Sequence, residues 1–146
     1  MSYSKLQKIY LPCDVGASGE LIDLSAAATE VTWVPAEDMV IYGWGMHFLE
    51  AAAQTGFNTT VPVVQLKYDA ADAGSPTTKG TWTLTAATAY AIGKEVADVD
   101  MVPFKTDASA GDAIEFVVGT AGSGQTVTGE CRPFVYAEVF PAIAPA

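Results

Sequence analysis

The sequence predicts a single all-β domain, an antiparallel β-sandwich of the jelly-roll type with about eight strands. Three observations support this prediction. Apolar and polar residues alternate with a period of two over several segments. β-Branched and aromatic residues recur in those segments, and turn sequences rich in glycine, serine and aspartate separate them. The chain has 146 residues, which suits one domain with a sizeable core, and no linker divides it.

The clearest alternation lies at residues 39–49. One face of this segment is bulky and apolar, and we expect it to face the core, Trp44, Met46 and Phe48 included. Its members are Val40, Tyr42, Trp44, Met46 and Phe48. The other face contains Gly43 and Gly45, which indicate close approach of another backbone or a bend.

The remaining strands are predicted from shorter patterns. Segment 61–69 should place Val64, Leu66 and Tyr68 on one side and Gln65, Lys67 and Asp69 on the other. Segment 113–118 should point Ile114, Phe116 and Val118 inward. Further candidate strands are 6–11, 20–24, 30–34, 80–85, 99–104 and 126–140. Pro133 lies in the last of these and predicts an edge position or a bulge. Two alanine-rich stretches, 25–29 and 86–92, are helical candidates, although the second also fits a strand.

The composition limits the classes of partner. Only 16% of the residues are charged, below the usual share of about 25%, whereas 50% are hydrophobic. Such a chain either buries neutral surface against copies of itself or a larger body, or stays soluble through excess acid. The net charge of −10 disfavours nucleic acid and anionic lipid as partners. No apolar run approaches the length of about 20 residues that a membrane span needs, and the polar N-terminus predicts synthesis in a host cytoplasm without secretion.

The chain offers few residues for catalysis or metal binding. His47 is the single histidine, and its place in an apolar strand favours a surface or interface role over that of a catalytic base. Cys13 and Cys131 fit no zinc spacing. We expect buried, reduced thiols, with a disulfide between the first and last strands as the alternative. The sequence therefore predicts no enzymatic activity, no cofactor and no metal site.

Acidic pairs near turns are candidates for catalytic carboxylates or calcium ligands. The pairs are Glu37 and Asp38, Asp98 and Asp100, and Asp112 and Glu115. Acidic residues at loop tips are more often solvated surface. The glycine-rich segment 119–124 lacks the lysine and the helix of a phosphate-binding loop, so a hairpin connection between two strands is the better interpretation.

Large aromatic side chains are the remaining candidates for a binding surface. Trp33, Trp44 and Trp82 could form a platform for a sugar ring. All three lie in apolar alternating segments, which favours core or interface packing. We therefore interpret Trp33, Trp44, Phe48 and Trp82 as core or interface aromatics.

One motif links the chain to a known group of proteins. Val102-Pro103-Phe104, a short spacer, and then Ala110-Gly111-Asp112-Ala113-Ile114-Glu115-Phe116-Val117-Val118 resemble the turn and strand near the end of many jelly rolls. In this motif, and in its acidic, alanine-, glycine- and threonine-rich character, the chain resembles the small capsid decoration, or cement, proteins of tailed bacteriophages. That resemblance implies a homotrimer on the capsid surface of the virion, with the major capsid protein as partner.

Two functions are therefore expected from different classes. The first is a decoration protein that binds and stabilises the assembled phage head. In this case residues 1–8 would be an N-terminal arm that adds a strand to a neighbouring sheet, and residues 141–146 a loose tail to the single domain 1–146. The alternative is a carbohydrate-binding or receptor-binding β-sandwich module of a phage fibre, which would require exposed tryptophans beside acidic residues.

Overall fold

The computed structural model describes residues 6–12, 22–24, 27–48, 59–84, 95–124 and 130–140. Within these ranges the chain forms ten strand segments and one short 3₁₀ turn at Ala70–Asp72. The strands are β1 (Gln7–Tyr10), β2 (Ile22–Asp23), β3 (Ala28–Trp33), β4 (Asp38–Phe48), β5 (Val63–Asp69), β6 (Thr77–Thr83), β7 (Glu95–Asp98), β8 (Phe104–Thr106), β9 (Ala113–Thr120) and β10 (Glu130–Phe140).

The strands form two antiparallel sheets. The first has the order β1-β10-β4-β7, with β2 also beside β10 and β8 also beside β4. The second has the order β3-β9-β5-β6. Since β4 pairs with β10 along nearly its whole length, β1 and β2 lie on the opposite side of β10, one after the other. In the same way, β7 and β8 follow one another along β4.

The ten segments therefore occupy eight strand positions, four in each sheet. The chain passes from one sheet to the other at most connections between the described strands. The exceptions are β1 to β2 and β7 to β8, which continue along one strand position, and the β5–β6 pair. This is the connectivity of a jelly roll. The prediction of an all-β sandwich of jelly-roll type with about eight strands is confirmed.

The hydrophobic core lies between the two sheets. Trp44, Met46 and Phe48 of β4 are fully buried in it, as predicted. They face Phe116 and its neighbours on the second sheet, and the rings of Trp44 and Phe116 meet edge to face with centroids 6.1 Å apart. Alternate residues of the second sheet complete the core, including Val64, Leu66, Ile114 and Val118.

One extra residue in β4 changes which of its side chains enter the core. Tyr136 of β10 lies opposite Gly43, and the next residue, Ala137, lies opposite Ile41, so Tyr42 has no partner of its own. Such a bulge reverses the inward and outward alternation beyond it. The prediction that Val40 and Tyr42 face the core is therefore wrong. In their place, Met39 and Ile41 are buried there.

Pro133 lies in an interior strand and not at an edge, because β10 is paired on both sides. The bulge opposite β10 is also elsewhere, at Tyr42, so the predicted role of this proline is wrong. The carbonyl of Pro133 accepts a hydrogen bond from the Leu11 N–H (3.0 Å), which places its backbone polar groups on the β1 side. The missing N–H of Pro133 thus faces the break between β1 and β2, where no strand requires it.

Other predicted elements change at their ends. Residues 99–103 lie between β7 and β8, so the strand predicted at 99–104 is wrong except at its last residue. The helix predicted at 25–29 is wrong at its end, where β3 begins at Ala28. Of the arm predicted at 1–8, Gln7 and Lys8 pair with β10 of the same chain, and residues 1–5 lie outside the described residues. Residues 86–92, the tail 141–146 and Cys13 lie outside the described residues, whereas Cys131 is buried.

The turn before β9 forms as its sequence predicts. Gly111 has a positive φ of 75°, which glycine adopts without strain. The N–H of Asp112 donates to the Asp107 carbonyl (3.2 Å), which closes the turn. Beyond it, Ile114, Phe116 and Val118 enter the core.

Candidate docking face

The first sheet has a second, outward side on which the side chains point away from the core. We call this side the outer face. The strand registers place on it Lys8 and Tyr10 of β1, Val40, Gly43, Gly45 and His47 of β4, Glu95 and Ala97 of β7, and Arg132, Phe134, Tyr136 and Glu138 of β10. Tyr42, the bulged residue, is half-buried beside them. The outer face is therefore rich in aromatic residues.

Phe134 is the centre of this face. Its side chain is fully buried, yet it does not belong to the core between the sheets. Tyr10 and Tyr136 cover it edge to face, with ring centroids 5.8 and 5.3 Å from that of Phe134. The Lys8 ammonium lies 4.4 Å from the Phe134 ring centroid. The rings form a layer over the outer side of the sheet, and Phe134 at its centre is shielded from water within the single chain.

A polar network lies at one end of this aromatic layer. The Glu95 carboxylate accepts a hydrogen bond from Lys8 and lies 3.1 Å from Nδ1 of His47. Hydrogen bonds from Lys8 and from His47 lower the pKa of Glu95, so its carboxylate remains charged. The guanidinium carbon of Arg132 lies 4.7 Å from the Tyr10 ring centroid. His47 is thus part of a surface network, which is the type of role that the sequence predicts for it.

An apolar groove crosses the outer face from one edge of the sheet to the other. Leu6 lies at the β1 edge, Tyr136 and Gly43 in the middle, and Val99 and Met101 at the edge formed by β7 and β8. The groove encloses about 550 Å³. Leu6 is 58% exposed, Val99 64% and the neighbouring Val102 81%. We call this feature the transverse groove, and exposed apolar surface of this kind marks binding sites.

The tryptophans singled out in the sequence lie elsewhere. Trp44 is fully buried in the core, as is Phe48. Trp33 and Trp82 are partly buried and pack against the same core. An open platform of three tryptophans for a sugar ring is therefore not formed.

The acidic residues mostly stabilise turns. The Asp98 carboxylate accepts a hydrogen bond from the Asp100 N–H (3.0 Å), and the Asp38 carboxylate accepts one from the Ala108 N–H (2.8 Å). The alternation in segment 61–69 predicts Asp69 on the side opposite Val64 and Leu66, yet Asp69 is 1% exposed, and its carboxylate accepts hydrogen bonds from the N–H groups of residues 73–75. These contacts replace the solvation that an outward position would give.

The fold brings together three acids that the sequence does not pair. Carboxylate oxygens of Asp69, Asp72 and Glu115 lie within 4.8 Å of one another. Burial and the charge of Asp69 raise the pKa of Glu115. Asp69 and Asp72 belong to the end of β5 and the turn that follows it, where backbone N–H groups already bind Asp69, and Glu115 of β9 lies beside them.

Comparisons with known proteins find little. No protein family matches the sequence, and no curated protein is similar to it. A chain in "Structure of infectious bursal disease virus Gx strain" aligns with this chain at a TM-score of 0.27 and 15% identity. The match covers 94% of this chain but 32% of that one, so this chain spans about a third of its length. Among the described residues, no helix is both long and apolar enough to cross a membrane.

Proposed function

We propose that this chain is a viral structural protein, a decoration protein that binds an assembled tailed-phage head as a homotrimer and stabilises the shell. The outer face carries this proposal. It combines a layer of buried and half-buried rings with an open apolar groove, which is the composition of an interface centre and not of a solvated surface.

The transverse groove is the part of the outer face that remains exposed. Val99 exposes most of its side chain at one end of it, with the exposed Val102 close by in sequence, and Leu6 is exposed at the other end. A single chain gains nothing from this exposure, because each apolar side chain would be more stable away from water. We assign the groove to a second copy of the chain.

Charge supports a second copy as the occupant. In a closed trimer each contact is heterologous, so the outer face of one copy meets a different surface of the next. The positive charges of Lys8 and Arg132 on the outer face are matched there by the negative charges of Glu95 and Glu138, whereas the chain as a whole carries a net charge of −10. A face that is less acidic than the rest of the chain repels an acidic neighbouring copy less than the remaining surface would.

The function follows from this mode of association together with the resemblance to decoration proteins. The trimer would bind the major capsid protein at the virion surface after synthesis in the host cytoplasm. It would act by holding neighbouring capsid subunits together and would have no enzymatic activity of its own. Neither nucleic acid nor membrane is needed as a partner.

The proposal is tested by replacing the exposed valines. Val99→Lys with Val102→Lys adds one charge to the transverse groove and one beside it, while Val34→Lys adds one at another exposed valine, after β3, where the exposed fraction is 46%. We expect light scattering to give the mass of three chains for the unmodified protein and for Val34→Lys, and of one chain for the double variant. Stoichiometric rebinding to intact phage heads should be lost only with the double variant. An unmodified protein that is monomeric at micromolar concentration would contradict the proposal.

A further inference from the structure

A pocket of about 450 Å³ lies at the end of the sandwich where β4 begins and where β8 and β10 end. This volume lies in the range of small-ligand sites, roughly 300–1,000 Å³. Its lining comes from separate parts of the chain and includes Asp38, Tyr68, Thr106, Asp107, Asp112 and Phe140. We call it the acidic pocket. It lies apart from the transverse groove and shares no residue with it.

Negative charge dominates the acidic pocket. Asp112 is 4% exposed, and its carboxylate is held by the Tyr68 hydroxyl (2.6 Å) and by the N–H groups of Ala71 and Asp107 (2.9 Å each). Hydrogen bonds, with that from Tyr68 the strongest, lower the pKa of Asp112 and keep it ionised. Together with Asp38 and Asp107 it gives three carboxylates against one ammonium group, that of Lys105.

Two of these carboxylates have an oxygen to offer. Asp107 uses Oδ1 for the backbone and hydroxyl of Ser109 and for the Ala110 N–H, and Asp38 uses Oδ1 for the Ala108 N–H. No hydrogen bond within the described residues uses Oδ2 of either residue. Both residues are exposed, so these oxygens can accept hydrogen bonds from a ligand.

Thr106 provides an independent observation. It lines the acidic pocket, it is 3% exposed, and its Oγ1 is buried without a hydrogen-bond partner in the described part of the chain. A buried hydroxyl without a partner is uncommon, because leaving it so costs free energy. A ligand that donates a hydrogen bond here would satisfy it.

The geometry selects the kind of cation. Asp38, Asp107 and Asp112 do not converge to within 4.8 Å of one another among the described residues, so they cannot jointly hold one metal ion. A guanidinium group is wider, and its five N–H donors diverge in a plane that matches separated carboxylates. Phe140, 44% exposed at the rim, offers a ring on which such a plane stacks.

We propose that the acidic pocket binds the side chain of an arginine presented by a protein partner. Asp38 and Asp107 receive its N–H donors through their Oδ2 atoms, Thr106 accepts a further hydrogen bond, and Phe140 covers the guanidinium plane. Only the identity of the partner, a capsid subunit, rests on the proposed function. Recognition of guanidinium by the pocket does not depend on it.

The test is a nuclear magnetic resonance titration of the full chain with N-acetyl-arginine amide, with the lysine and glutamine amides as comparison probes. We expect the arginine probe to shift the amide signals of Asp107 and Ala108, with a Kd on the order of 1 mM for a ligand this small. Asp38→Asn combined with Asp107→Asn keeps the Oδ1 acceptors but removes both charges. It should weaken binding by at least about tenfold, because charge-assisted hydrogen bonds are lost.

Two further variants separate a binding role from a structural one. Asp98→Asn alters a carboxylate that likewise caps a backbone N–H but lies outside the pocket, and it should leave the affinity unchanged. Thr106→Val should weaken binding without lowering stability. The proposal is overturned by equal binding of the lysine or glutamine probe, by an unchanged Kd in the double variant, or by no shift at these amides. None of these results would alter the trimer mass, which tests the proposed function separately.

Discussion

Gly45 gives a direct test of how tightly the outer face is packed. A Cβ atom at this position would overlap the carbonyl oxygen of Val96 and would lie 2.6 Å from Cζ of Phe134 and 3.0 Å from Cα of Ala97. Two of these obstacles are backbone atoms of β7, so Gly45→Ala must displace β7 from β4. Four residue pairs join the two strands. Loss of two hydrogen bonds between these strands, at about 1 kcal/mol each, together with displacement of Phe134, should lower the free energy of unfolding by about 2–4 kcal/mol.

The assay is equilibrium unfolding in urea, with Gly119→Ala as the control. Gly119 is an exposed glycine of β9, and the nearest atom to a Cβ there is Oε1 of Gln65 at 3.4 Å, an ordinary contact. Gly119→Ala should be neutral or should stabilise the protein by about 0.5 kcal/mol, because alanine restricts the unfolded chain. The free energy of unfolding should fall only for Gly45→Ala. If the two variants differed by less than about 0.5 kcal/mol, the close approach of β7 would be wrong.

Two further predictions concern Asp112 and its partner Tyr68. The folded state lowers the pKa of Asp112 below its ordinary value of 3.8, so the stabilisation is present above that pH and is lost as the pH falls through the lower, folded value. Asp112→Asn should therefore lower the free energy of unfolding by about 2 kcal/mol at neutral pH. Below neutral pH, the free energy of unfolding of the variant should fall less steeply with decreasing pH than that of the unmodified protein. An equally steep fall would contradict this. The same hydrogen bond raises the pKa of Tyr68 to about 12. Titration followed by ultraviolet absorbance should show a phenol that ionises near that pH, and Tyr68→Phe should remove this ionisation step.

Local patterns predicted most of the fold. The alternation in β4 beyond its bulge, and that in β5 and β9, identified Trp44, Phe116 and other core residues, because each strand buries one face. Turn chemistry identified the bend at Gly111, because glycine adopts a positive φ without strain. These properties depend on residues that are close in sequence, so a single chain suffices to recognise them.

Properties that depend on a partner strand were not predicted. The bulge at Tyr42 exists only in the register between β4 and β10, whose residues are about 90 positions apart. Pro133 is tolerated in an interior strand because the neighbouring edge strand is interrupted beside it. Neither the bulge at Tyr42 nor the interrupted edge strand beside Pro133 can be seen in the segment that contains the residue. The wrong facing predicted for Val40 and Tyr42, and the wrong position predicted for Pro133, follow from this.

The two binding features differ in the same way. Part of the outer face is visible in the alternation of Arg132, Phe134, Tyr136 and Glu138, although nothing in that pattern says that Phe134 is buried on the side away from the core. The acidic pocket could not be predicted, because it joins residues from five parts of the chain. In the sequence the aspartates of this pocket stand apart from one another, and each of them also fits a role in a turn.

The interrupted edges of the first sheet affect how copies of the chain can meet. One edge consists of β1 and β2 and the other of β7 and β8, and each break removes the continuous row of N–H and C=O groups that a foreign strand would need. Fibril-like growth by strand addition is thereby hindered at both borders of this sheet. At this sheet, copies of the chain can therefore meet through side chains more readily than through continuous pairing of their backbones.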